Sequence, residues 1–293
     1  MQSYSFKALG TAWSISIDQA AFISDTLWQK VVDTTTLFEQ RFSRFIDTSE
    51  SRAFAEAKAG TYPVSAEMTR LLVAADKLRQ LTKGQYDPAI GSLLEAAGYN
   101  KSYTLKPNEQ YIKEWQLPNW QIDAKNVQVT IDRPLVFDFG GIGKGYWIDQ
   151  LSQLLIDSDF PFHIIEGGGD MMATSKQNGQ GWRVAIEYPG KPEMALGLSV
   201  LKNQGFAASD MFRRRWGSWH HFIDHQKKSS QNHILGCAVI APNAWQADQA
   251  TSILSLTDPA QATQLVNQLG VEYLVVGNDD LIRRSSHWPG QLF

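Results

Sequence analysis

Four glycines within six residues, Gly140-Gly141-Ile142-Gly143-Lys144-Gly145, stand where the extended apolar segment Leu135-Val136-Phe137 gives way to a helical pattern of Ile148, Leu151, Leu154 and Leu155. A strand, a pliable loop and a helix start in that order constrain this chain more than any other feature. Glycine backbone approaches a phosphate or a cation closely, and the free amides of a helix N-terminus favour negative charge. The loop is not a Walker loop, because no Ser or Thr follows Lys144, and it lacks the dinucleotide-fold spacing. Taken alone it is equally compatible with a tight turn that binds nothing.

Two further segments carry candidate chemistry. In Glu166-Gly167-Gly168-Gly169-Asp170 the three glycines end the apolar run His163-Ile164-Ile165. Such a run is costly in chain entropy and implies backbone meeting a ligand or turning through positive φ. In Ala247-Asp248-Gln249-Ala250-Thr251-Ser252-Ile253-Leu254, Asp248 and Ser252 are four apart. On a helix they share a face, so a carboxylate and a hydroxyl can point at one hard cation, although a solvated face is the commoner outcome. Gly84 to Leu93 contains an Asp-Pro pair, which on its own reads as an ordinary turn.

Periodicity places these segments. Tyr4, Phe6 and Ala8, then Trp13, Ile15 and Ile17, predict two strands around Gly10. Ile23, Leu27, Val31, Phe38 and Phe42 predict a helix over 22–42. A second helix is predicted from the cap Ser65 to the stop Gly84. Val127, Val129 and Ile131 followed by Asp132-Arg133-Pro134 predict a hairpin returning through 135–137, and 106–126, with Tyr111, Trp115 and Trp120, reads as an irregular surface insertion. Strands are predicted at 163–166, 182–188, 196–201, 236–241 and 272–276. Helices are predicted at 244–256 and 259–269, the latter with Asp258 as cap, Pro259 first and Gly270 last. Strands in groups broken by single long helices favour α+β over a doubly wound sheet.

Composition excludes several classes. A formal net charge of −3 and a pI near 6.1 argue against nucleic-acid binding, since phosphate recognition leaves a basic surplus. The cluster Arg213-Arg214-Arg215 is the exception, either a solvated turn or a phosphate-steering patch. The single cysteine, Cys237, lies in an apolar run and reads as a small core residue, leaving no disulfide and no cysteine set for zinc. No stretch approaches the roughly 20 apolar residues needed to span a bilayer. The N-terminus enters a strand pattern at once, without a signal region or lipid-bearing cysteine, which predicts a cytoplasmic protein.

In their order along the chain these segments resemble the ApbE family, the FAD:protein FMN transferases. Leu9-Gly10-Thr11 is similar to the family's Met-Gly-Thr, and Phe42-Ser43-Arg44-Phe45 through Ser49-Glu50 to its aromatic-Ser segment. Gly84 to Leu94 matches the Gly-x-aromatic-Asp-Pro stretch, Asp138 to Asp149 the Asp-x-Gly-Gly-Ile-x-Lys-Gly-Tyr core, and Gly168-Gly169-Asp170 the Gly-Gly-Asp that follows. Trp182 to Ile186 with Pro189, His221-Phe222-Ile223-Asp224, and Ala247-Asp248 with Ser252 complete the series. Departures lie at Ala208-Ser209-Asp210, where the family has Thr-Ser-Gly, and at His225 to Ser230, where Pro and Gly are expected. Ser252 replaces the usual Thr and keeps its hydroxyl.

The resemblance implies an α+β architecture of the T-fold type, one domain over 1–293, with FAD in a cleft within it. It implies FAD contacts at Leu9, Phe45, Gln85, Tyr86, Asp87, Asp138, Lys144 and Ile223, and a magnesium ion held by the Gly141 carbonyl, Asp248 and Ser252. The acceptor hydroxyl of a Ser or Thr in a partner flavoprotein then attacks the phosphorus on the riboflavin side of FAD, and AMP leaves. Asp248 acts through the metal. Of six histidines, His221 is the candidate for assisting deprotonation, with a purely structural role as the alternative. An FAD pyrophosphatase, a non-catalytic FAD-binding protein and a purely structural protein are the competing classes.

Overall fold

A computed structural model describes residues 1–293. The elements begin with the strands β1 (Gln2–Ala8) and β2 (Thr11–Ile17), the helix α1 (Asp25–Phe42), the strand β3 (Gly60–Pro63) and the helix α2 (Ala66–Leu81). Next come the short helices α3 (Gly91–Ala96) and α4 (Glu109–Glu114), the strands β4 (Trp120–Asp123) and β5 (Gln128–Ile131), and α5 (Gly143–Asp157). A run of strands follows: β6 (His163–Gly167), β7 (Asp170–Ala173), β8 (Trp182–Tyr188), β9 (Lys191–Leu201) and β10 (Gln204–Asp210). Two small hairpins, β11 (Arg215–Trp216) with β12 (Trp219–His220) and β13 (Ile223–Asp224) with β14 (Ser229–Ser230), lead to β15 (Ile234–Ala241). The chain closes with α6 (Ala244–Leu256), α7 (Pro259–Gln268), β16 (Glu272–Gly277), β17 (Ile282–Arg284) and β18 (Gly290–Leu292).

These elements form two compact units. The first comprises residues 1–37, 141–213 and 232–293, and the second 38–140 and 214–231. In the first unit an eight-stranded antiparallel sheet runs in the order β1-β2-β6-β7-β10-β15-β16-β17. Alternation along β2 sends Trp13, Ile15 and Ile17 inward, where they meet Ile148, Leu151 and Leu155 of α5. α5 packs on α6, and α6 lies across β10 and β15. A three-stranded sheet, β18-β9-β8, closes a second core in which Trp182, Val184, Ile186 and Leu196 meet Phe206, Ala238, Ile240 and Val276.

The second unit holds the sheet β3-β5-β4, helices α2 to α4 and the two small hairpins. Its core joins Leu93, Leu94, Tyr99, Trp115, Trp216 and Ile223, and the Trp216 indole N–H donates to the Ala97 carbonyl at 2.8 Å. The α+β class follows directly from this arrangement. No helix is long and apolar enough to cross a membrane.

Two local expectations are corrected. β5 lies between β3 and β4, and its hairpin is with the preceding β4, through a turn in which Val127 takes φ 57° and Asp123 accepts from the amides of Lys125 and Asn126. Residues 135–137 instead spend their amides on the loop before β3, Leu135 on Phe54 and Phe137 on Ser51, both at 3.0 Å. The stretch 106–126 is ordered structure, with α4, β4 and buried Trp115 and Trp120, while Tyr111 is exposed. Elements of six and four residues are too short to display a period.

Candidate functional site

In the first unit the chemistry gathers where α5 and α6 begin. Asp149 of α5 caps α6 from outside its own sequence, accepting the amides of Ala244 and Trp245 at 3.0 Å each, while Asn243 accepts from Gln246. Two orphan amides of a helix start are thereby satisfied. The helices approach so closely at Gly145 that a Cβ there would sit 2.5 Å from the Ala244 carbonyl oxygen and 2.7 Å from Asp248 Cβ. This glycine is required for contact and not for positive φ.

That contact fixes Asp248. The carboxylate is 3% exposed, and its Oδ2 accepts the Gly145 amide at 2.9 Å. One turn on, Ser252 Oγ donates to the Gly141 carbonyl at 2.8 Å. Gly141, Asp248 and Ser252 are therefore brought together as a carbonyl, a carboxylate and a hydroxyl. Beside them Lys144 Nζ is paired with Asp170, which is 1% exposed. Burial, and next the charge of Asp170, push the Asp248 carboxyl up to about 7, against the opposing pull of Lys144 and the Gly145 amide. A buried carboxylate crowded by another is a place where a cation relieves the repulsion. Three hard oxygen donors of this kind fit magnesium by their chemistry.

The hairpin turns of the main sheet lie at the same end. Leu9 and Gly10 form the two-residue turn between β1 and β2 with φ 52° and 68°, the conformation such turns demand. Gly168 and Gly169 turn β6 into β7 with φ 64° and 100°, so positive φ accounts for these two, while a Cβ on Gly167 would meet the Trp13 ring at 3.0 Å. A Cβ on Gly168 would meet Thr11 Oγ1 at 2.8 Å. Arg213 pairs with Glu187 at 2.5 Å and with Asp210 at 3.3 Å, so the arginine cluster begins as an ion-paired turn.

In the second unit Arg44 organises two of the predicted residues. Its side chain is 2% exposed, its Nε is paired with Asp138 Oδ2, and its guanidinium lies 4.1 Å from the centre of the Phe45 ring. Tyr99 flanks it at 4.8 Å, and Tyr103 stacks on Phe45 with ring centres 5.7 Å apart. Asp138 Oδ1 accepts the Gly140 amide at 2.7 Å. Gln85 Oε1 is buried without a hydrogen-bond partner, Tyr86 is 4% exposed, and Ile223 is fully buried in the core of this unit. His225 Nε2 meets the Gly84 carbonyl at 2.6 Å and anchors the start of the 84–87 segment, while His221 lies against Phe222.

Asp87 has a structural task that its turn-like sequence conceals. Its Oδ1 accepts both the Ala89 amide at 2.8 Å and the Trp120 indole N–H at 2.9 Å, and burial raises its carboxyl above the usual range. Asp87→Ala strands two buried donors and is expected to lower stability by about 3 kcal/mol in urea unfolding. Asp87→Asn keeps an acceptor oxygen and removes the buried charge, and is expected to stay within about 1 kcal/mol of the parent. A large loss in the asparagine variant would mean that the charge itself holds this turn.

Sequence reasoning missed Arg44, Asp149 and Asp170 as organisers. All three stood inside matched segments, but their partners lie 94, 95 and 26 residues away in sequence.

These features define an α+β protein that sets a helix N-terminus, a lysine and a hard-oxygen donor set side by side. The chain belongs to the ApbE family, whose profile matches residues 9–275. It is 25% identical over 303 residues to the FAD:protein FMN transferase of Escherichia coli K12, covering 94% of this chain and 84% of that protein. Its fold is similar to the ApbE protein of Thermotoga maritima, with a TM-score of 0.86, 24% identity and 97% of each chain covered. The flavin transferase ApbE of Vibrio cholerae superposes with a TM-score of 0.83 at 19% identity over 98% of each chain.

Proposed function

We propose that this chain is an FAD:protein FMN transferase, acting as one ApbE-like domain over residues 1–293. The observation that carries the reading is the convergence of the Gly141 carbonyl, Asp248 and Ser252 at the start of α5, beside Lys144 and Asp170. In the proposed step an acceptor Ser or Thr oxygen attacks the phosphorus next to riboflavin. The new phosphoester links FMN to the acceptor, the pyrophosphate bond breaks, and AMP leaves with the bridging oxygen. Gly141, Asp248 and Ser252 would hold a magnesium ion, which would supply neutralisation of the charge that develops on the leaving group.

The remaining roles follow the resemblance. Lys144 and the α5 amides favour the anionic diphosphate, and Asp170 holds Lys144 in place. Leu9, Phe45, Gln85, Tyr86, Asp87, Asp138 and Ile223 are proposed FAD contacts, with Arg44 steadying Phe45 and Asp138. His221 is proposed to take the proton of the acceptor hydroxyl. The partner is a flavoprotein presenting a Ser or Thr.

Incubation with FAD and magnesium, with and without candidate acceptor flavoproteins, tests this by chromatography and intact mass. AMP formed only with an acceptor that gains the FMN mass supports the transferase. The altered residues 208–210 and 225–230 favour a second reading, an FAD pyrophosphatase, which would release AMP and free FMN. FAD left intact with every acceptor would reduce the protein to a binder.

Leu9 offers a sharper test. A leucine at φ 52° is strained, and Leu9→Asn is expected to raise stability by about 1 kcal/mol. The same change is expected to weaken FAD binding in a fluorescence titration, because it removes the apolar side chain proposed to touch FAD. A gain in stability with unchanged FAD affinity would remove Leu9 from the site.

A further inference from the structure

The first unit contains a cavity of about 280 Å³ between the main sheet and β8-β9. Its floor is apolar, built from Ile186, Leu196, Phe206, Leu274 and Val276. Three carboxylates, Glu166, Glu187 and Asp210, and one guanidinium, Arg213, also line it. Glu187 and Asp210 pair with Arg213. Glu166 accepts the Gly169 amide at 2.9 Å and also acts on the Arg213 charge. One cation against three anions leaves a net charge of −2 among the lining groups.

Size and position narrow the occupant. Cofactor and drug pockets run from roughly 300 to 1,000 Å³, so this cavity lies at the low end of that range, small for a dinucleotide and sufficient for neighbouring side chains of one peptide segment. Its walls continue into the hard-oxygen group. Gly169 precedes Asp170, the partner of Lys144, and Ser209 Oγ donates to Thr251 Oγ1 at 3.2 Å, one residue before Ser252. Ala208, Ser209 and Asp210 all line the cavity, and Ala208 and Asp210 are the two positions at which this segment departs from the Thr-Ser-Gly it resembles.

We propose that this cavity anchors the acceptor polypeptide, taking a Leu-, Met- or Phe-sized side chain with a Lys or Arg beside it at the acidic rim. The inference rests on the transferase reading and names what that reading leaves open, the chemistry that selects the acceptor segment. An apolar anchor without the cation forgoes the charge complementarity, and a cation without the anchor leaves the floor unfilled. The pair together distinguishes one hydroxyl-bearing segment from the many others on protein surfaces.

The test uses short capped peptides carrying one Thr, with a Leu–Lys pair nearby present, singly removed or reversed in charge. FMN attachment is followed by mass spectrometry at saturating FAD and magnesium. The intact Leu–Lys peptide is expected to show a KM about tenfold below the others. Ala208→Leu adds bulk at a lining position of β10, on the same strand face as Phe206, and is expected to erase that preference, while FAD affinity stays parental. A direct arm titrates 4-phenylbutylamine and 4-phenylbutyrate by NMR. The amine is expected to shift cavity resonances in the parent and not in Ala208→Leu, and the acid to bind in neither.

Equal transfer to all peptides by parent and variant would overturn the cavity and leave the transferase standing. Equal binding of amine and acid would overturn the charge selection. Absence of FMN on every peptide and every acceptor protein would bring down the transferase reading and the acceptor role with it. In that case amine binding would still report whether the cavity takes a cationic apolar ligand.

Discussion

Asp248→Asn is expected to lower magnesium affinity and magnesium-dependent FAD cleavage by about two to three orders of magnitude, the size of effect when several kcal/mol of charge stabilisation is withdrawn. Gly141 offers a carbonyl and Ser252 a neutral hydroxyl, so Asp248 is the only formal negative charge in the proposed donor set. Asparagine retains an oxygen to accept the Gly145 amide and nearly the same shape. Stability without metal should therefore match or exceed the parent, because the lost charge was buried and crowded by Asp170. Ser252→Thr keeps the hydroxyl and is expected to bind magnesium as the parent does. Full magnesium-dependent cleavage by Asp248→Asn would place the metal elsewhere and end the proposed mechanism.

Gly145→Val is the second large effect. Its Cβ would press on the Ala244 carbonyl oxygen and on Asp248 Cβ, and neither belongs to a flexible side-chain end. Overpacking of this kind costs about 1–3 kcal/mol, and at about 2–4 °C per kcal/mol for a large domain the melting temperature should fall by about 2–12 °C. Parting α5 from α6 also removes the amide that holds Asp248, so magnesium binding should fall with stability. Gly145→Ala meets the same two atoms and is expected to act in the same direction. A valine variant with parental melting temperature and magnesium affinity would show that the helices need no such closeness.

What could be read from the sequence depended on whether a signal was local. α7 was legible because Asp258, Pro259 and Gly270 mark both its ends, and α2 because Ser65 and Gly84 do the same. Strands β7 and β10 escaped. β7 has four residues after a glycine turn, and Gly205-Phe206-Ala207-Ala208 in β10 shows neither alternation nor β-branching, although it lies mid-sheet. The spacing of Asp248 and Ser252 gave a shared helix face. Nothing local could reveal that Asp149, 95 residues before Ala244, caps that helix, or that Asp170 neutralises Lys144. Asp87 shows the reverse case, a residue legible as part of a family segment whose carboxylate is also needed by Trp120.

The strand order has a consequence for how the molecule comes into being. β1 and β2 are made first, yet β2 pairs next with β6, and β10 pairs with β15 only after residues 214–231 have been built into the other unit. On a ribosome, the N-terminal hairpin must wait for about 150 residues of synthesis before its free edge is covered, and the middle of the sheet waits longer still. Long-range pairings of this kind slow folding and leave strand edges open to wrong partners meanwhile. Chaperone occupancy during translation is therefore expected to peak before β15 emerges, and a chain stopped ahead of it should aggregate instead of leaving behind a smaller working protein.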